Sequence, residues 1–204
     1  MRETLDCFKN IRQWLLAATI LLAATFTGTA WGQSTPPPHA HSTVVLLDFS
    51  PAVDAKFWER LEVDLKNTDA PEPLGKSTLW MRRQDFRTGM EFSEVLQVQL
   101  TGECATGLDQ GRSATPGPLG WVYLVDGKIQ PFAFVDCNRI ALALRGELQG
   151  KTSKERHEKM SLAIARVVAH ELTHIVTQNP GHSDEGIQKA RLTNMELIGR
   201  EVFY

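Results

Sequence analysis

From Thr152 to Gln178 nothing in the sequence breaks a helix, and the second half of that stretch has almost no polar face. Thr152 is a candidate N-cap, and Glu155 three residues on completes a capping box. Met160, Leu162, Ala163, Ile164, Ala165, Val167, Val168, Leu172, Ile175 and Val176 then surround the axis. A helix that is apolar nearly all round has to be buried inside a domain. Pro180-Gly181 stops it. Whatever else the chain forms must therefore cover this helix.

The preceding residues supply a sheet. Residues 43–49 are a β-branched and apolar run, read as a buried strand. Ser50-Pro51 is a helix-start signal, with Ser50 as N-cap. Val53, Phe57, Leu61 and Leu65 recur every four residues as one helix face, flanked by Trp58 and Val63. A short strand is expected at Leu79-Trp80-Met81. Residues 94–100 alternate apolar and polar, the pattern of a half-buried strand. Residues 101–120 read as a long surface loop. Asp126-Gly127-Lys128 between the apolar runs 121–125 and 129–135 predicts a hairpin, and Pro131 within the second run predicts an edge or a bulge. The expected class is α+β, a mixed sheet packed on one long helix.

The N-terminus is expected to lie outside that domain. Basic Arg2, Lys9 and Arg12 precede an apolar run at 15–26 and small residues up to Gly32, the order of a secretory signal peptide. Residues 1–32 are assigned to it, 33–43 to a linker containing Pro36-Pro37-Pro38, and 44–204 to the folded domain. The product would be secreted or periplasmic, with no membrane attachment after cleavage. His39 and His41 belong to the linker and are read as solvated. Cys104 and Cys137 remain as a pair once the segment carrying Cys7 is removed. An oxidising compartment favours a disulfide between them, and two buried thiols are the alternative. The net charge of -2 leaves no basic surplus to neutralise phosphates, so nucleic acid is excluded as a partner.

The chemistry lies on the apolar helix. His170 and His174 are spaced i, i+4, so both imidazoles project from one face and can reach one metal ion. Glu171 is offset beside them, where it can act as general base on a water. A catalytic zinc takes three protein ligands and keeps one position open. His182, after the forced turn at Pro180-Gly181, is the expected third ligand. Asp184 and Glu185 on the same loop, and the more distant Glu196, are the alternatives. His157 sits among charged first turns and is read as a surface residue.

The stretch His170-Glu171-Leu172-Thr173-His174 with a later His182 resembles the zinc-binding segment of the metzincin clan of metallopeptidases, and in particular small exported bacterial proteins of that type. The resemblance implies a zincin-like domain, a Zn2+ cofactor, a peptide or protein substrate and Glu171 as catalytic base. Its departures are local. Thr177 and Pro180 stand where the standard pattern has Gly and the third ligand, and His182 comes two residues later. Gln188 stands where a Met is expected, with Met195 as the remaining candidate. A non-catalytic zinc-binding or interaction module on the same scaffold is the competing expectation, and oligomeric state is left open.

Overall fold

The computed structural model describes residues 43–68, 74, 78–105 and 115–199. The expected signal peptide, the Pro-rich linker up to residue 42 and residues 106–114 of the long loop lie outside them. The chain separates into two units, Met1–Pro37 and Pro38–Tyr204, and every element below belongs to the second. No described helix is long and apolar enough to cross a membrane.

Five strands form one mixed sheet: β1 (Thr43–Ser50), β2 (Leu79–Arg82), β3 (Glu94–Thr101), β4 (Gly120–Val125) and β5 (Lys128–Asp136). Their order is β2-β1-β3-β5-β4. β1 pairs in parallel with both β2 and β3, β3 pairs in parallel with β5, and only the edge strand β4 runs antiparallel, against β5. Thr43, the first residue of the expected strand, pairs with Glu94 and opens β1.

The helices are α1 (Ala55–Asn67), α2 (Cys137–Ala143), α3 (Arg145–Leu148), α4 (Ser153–Thr177) and α5 (Asn194–Ile198). α4 is the apolar helix, and its capping box between Thr152 and Glu155 is formed at both bonds. It packs against α1, β5 and β4. Val45, Leu47, Leu96, Val98 and Val135 of the sheet join Phe57 and Leu61 of α1 and Ile164, Val168 and Leu172 of α4 in one core. Each such buried side chain contributes about 1.5–3 kcal/mol of apolar burial.

Several local expectations need correction. Ser50 is the last residue of β1 and precedes a cis Pro51, while the cap of α1 is Asp54, whose carboxylate accepts from Phe57 N at 2.8 Å. A carboxylate three residues before an amide that has no helical partner is a strong cap, and it outcompetes the Ser-Pro signal. Of the two residues flanking the buried face of α1, Trp58 is buried and Val63 is half exposed. α2 and α3 had no counterpart in the sequence reading. Asp136 caps α2 by accepting from Arg139 N at 3.1 Å, so strand β5 runs directly into a helix without turn residues between them.

The hairpin forms as expected, with Asp126 and Gly127 both at positive φ and Val125 paired to Lys128. Pro131 lies where the β4–β5 register shifts, and before β5 begins to pair with β3 at Phe132, so its missing N–H breaks no regular ladder.

Cys104 and Cys137 are bonded, with their Cα atoms 4.8 Å apart. The bridge ties the chain leaving β3 to the start of α2, and so anchors one end of the loop that leads into β4. Because it closes a separation of 33 residues, replacing both cysteines with Ser is expected to cost about 3–4 kcal/mol of unfolding free energy. A urea titration of the double variant reads this directly, and an unchanged midpoint would count against a stabilising role.

Candidate metal centre

α4 ends at Thr177, and Gln178 follows in the left-handed conformation (φ 53°). The turn therefore comes two residues before Pro180-Gly181, which was expected to impose it. Gln178 also holds the helix end against the hairpin. Its Oε1 accepts from Ile129 N at 3.0 Å, and its Nε2 donates to the carbonyls of Ile129 (3.1 Å) and Ile175 (2.8 Å). Asn179 Oδ1 accepts from Gly181 N at 2.9 Å, turning the chain back towards the helix.

This reversal brings His182 to the two helical imidazoles. Ring centroids are 4.8 Å apart for His170–His174, 4.9 Å for His174–His182 and 5.3 Å for His170–His182. One nitrogen from each ring lies within 4.8 Å of the others. The turn at 178–181 sets the position of His182 relative to the helix end.

The tautomers follow from the neighbours. His170 Nδ1 lies 2.6 Å from the Ile187 carbonyl, and His174 Nδ1 lies 2.6 Å from the Asn179 carbonyl. A carbonyl only accepts, so both Nδ1 atoms carry the proton when the rings are neutral. Both Nε2 atoms are then lone-pair donors to a cation, yet they face each other at 3.1 Å. Two lone pairs at that distance repel unless a proton or a metal ion lies between them. Zn–N bonds of about 2.0–2.1 Å in a tetrahedron set N···N separations of about 3.3 Å. The donor set fits zinc, with backbone carbonyls orienting two of its three imidazoles. Burial holds His170 below the usual imidazole range, which favours the neutral, ligating form.

Glu171 is buried, and desolvation pushes its carboxyl up to about 8. It lines the same cleft as the three His residues, a cavity of about 780 Å³. The opposite wall is β4. A Cβ on Gly120 would lie 2.7 Å from Glu171 Oε1, 2.8 Å from its Cγ and 2.9 Å from the Phe134 carbonyl. Only a glycine lets the strand come this close to the carboxylate. The rim is fixed by Trp121, stacked on Phe134 at 5.3 Å, and by Arg139, which donates to the Pro118 carbonyl at 3.0 Å. Sequence reading passed over Gly120, although a glycine opening a strand is a signal of close backbone approach.

The alternative ligands lie elsewhere. Glu196 accepts from Lys189 Nζ at 2.6 Å and from Thr193 N at 2.7 Å, closing the capping box of α5. The Lys189 hydrogen bond, followed by the bond from the Thr193 backbone, holds its carboxyl at about 2. Asp184 and Glu185 are exposed and outside the cluster, which among the described residues consists of the three His alone. Met195, the candidate for the missing Met, is 69% exposed on α5 and lies outside the cleft lining. Leu192 and Ala190 line that part of the cleft instead. Arg166 of α4 donates to the carbonyls of Glu196 (2.7 Å) and Gly199 (2.5 Å), which docks α5 and secures the far end of the His182 loop.

No family model matches this chain, and no curated protein matches it in sequence. Among solved structures, the chain is similar to archaemetzincin from Methanopyrus kandleri, at 14% identity and a TM-score of 0.39, with 79% of this chain and 88% of that chain covered.

Proposed function

We propose that this protein is an exported zinc metallopeptidase in which His170, His174 and His182 hold the metal and Glu171 is the general base. The observation that carries this reading is the pair of Nε2 lone pairs facing each other at 3.1 Å, with a third imidazole beside them and a buried carboxyl in the same cleft. Zinc held by these nitrogens would supply Lewis-acid polarisation of a scissile carbonyl. Glu171 accepts the proton of the attacking water and delivers it to the leaving amine. Leu119 to Val122 wall the cleft on the β4 side of Glu171. The proposed substrate is a peptide or protein, on the strength of the two helical imidazoles with Glu171 beside them, and a cleft of about 780 Å³ has room for part of an extended chain. The disulfide supports export, since such bonds persist in oxidising compartments.

The test is metal stoichiometry joined to hydrolysis. Full-length protein should bind one zinc per chain, and a broad peptide library should be cleaved in a manner abolished by chelator and restored by zinc. His182→Ala should weaken zinc binding by more than about 100-fold, beyond what loss of an orienting partner costs. Glu196→Gln should leave it unchanged. Absence of stoichiometric zinc, or a loss confined to the Glu196 variant, overturns the ligand assignment. Tight zinc binding with no cleavage of any library member would instead indicate a binding module.

A further inference from the structure

We propose that Arg191 recognises a carboxylate on the substrate, so that the cleft selects peptides bearing an acidic group on the His182 side of the metal centre. This rests on the peptidase reading above. The cleft lining is apolar over most of its area, with Leu119, Val122, Ile129 and Leu192 among its residues. Its fixed charges are few. Among the described residues, the lining contains one carboxyl, Glu171, and two basic side chains, Lys189 and Arg191.

The two cations are not equivalent. Lys189 is neutralised by Glu196 at 2.6 Å, and that carboxylate stays ionised throughout the working pH range. Arg191 forms no ion pair or hydrogen bond with any described residue, and it is exposed at the cleft wall. A guanidinium presents donors in a planar fork that matches a carboxylate at two points. Among the described lining residues the one carboxyl, Glu171, forms no ion pair with it. The unmatched charge in an otherwise apolar cleft therefore fits a ligand that pairs apolar side chains with one carboxylate. That carboxylate is either an Asp or Glu side chain or a free C-terminus.

The experiment compares peptide pairs on the zinc-loaded full chain. One pair differs only in Glu against Gln at a single position, scanned along an internally quenched peptide. The other differs only in a free against an amidated C-terminus. Wild type should prefer the carboxylate member of one pair by about tenfold, through KM rather than kcat, and that pair identifies the source. Arg191→Ala should bring the ratio to about one, Arg191→Lys should retain part of it, and Arg191→Glu should invert it. Because the readout is a ratio within one protein, a general loss of folding cancels. Fluorescence polarisation of the same peptides on Glu171→Gln protein gives the ratio without turnover. A binding ratio that depends on Arg191 without any hydrolysis supports this inference while sinking the peptidase reading. Turnover with no charge preference, or a preference unchanged in Arg191→Ala, overturns the inference and leaves the peptidase intact.

Discussion

Glu171→Gln is expected to lower kcat by about 10²–10⁴-fold while the protein still binds one zinc per chain. The substitution keeps the shape of the side chain and its place on α4, and removes only the ability to take up a proton. His170 and His174 keep their carbonyl partners at Ile187 and Asn179, neither of which involves position 171. Metal affinity and proton transfer are thus carried by different atoms and should separate cleanly. Burial raises the affinity of the Glu171 carboxyl for a proton, and a cation at the His cluster lowers it again. The two influences act in opposite directions on the same group. Zinc content by atomic absorption, set against hydrolysis of the same preparation, is the measurement. Retained hydrolysis in the zinc-loaded variant would remove Glu171 from the mechanism.

Gly120→Ala should have the next largest effect, on a residue that bonds to nothing in the site. The added Cβ meets two obstacles of different softness. The Glu171 side chain can rotate away, but the Phe134 carbonyl belongs to the β4–β5 ladder and moves only with the strand. Either response shifts the carboxyl relative to the imidazoles, and a displacement of about 1 Å at a reacting centre costs on the order of 100-fold in rate. Overpacking adds a stability loss of about 1–3 kcal/mol. The expected pattern is a fall in kcat, a modest drop in melting temperature and unchanged zinc stoichiometry. A variant with normal kcat would mean that the close approach of β4 to Glu171 is incidental.

The parts legible in the sequence were those governed by local periodicity. The buried helix announced itself through its missing polar face and its capping box, and the β4–β5 hairpin through Asp126-Gly127. His170, Glu171 and His174 follow from helical spacing alone. His182 was reachable because Pro180-Gly181 signals that the helix ends before it, although the reversal itself is made at Gln178. What escaped was set by tertiary contacts. Gln178 turns the helix because its amide has Ile129 to bond, a partner 49 residues away. α2 is capped by Asp136, which reads equally well as the last residue of a strand. The position of Glu196 is decided by Lys189, and no spacing rule separates an ion pair from a metal ligand.

The loop from Gln178 to Leu192 carries more than His182. The carbonyls of Asn179 and Ile187, which fix the tautomers of the two helical imidazoles, belong to it as well. All three imidazoles of the cluster therefore take either their position or their orientation from one short segment, while Gln178 fastens the helix end to Ile129 of β5. If zinc binds at the cluster as proposed, its uptake would be coupled to the ordering of that segment. By reciprocity, a ligand that steadied the loop would tighten the proposed zinc by the same factor that zinc tightened the ligand. A peptide gripped at Arg191 would enter on the same segment, so the affinity of the protein for its metal should rise when substrate is present.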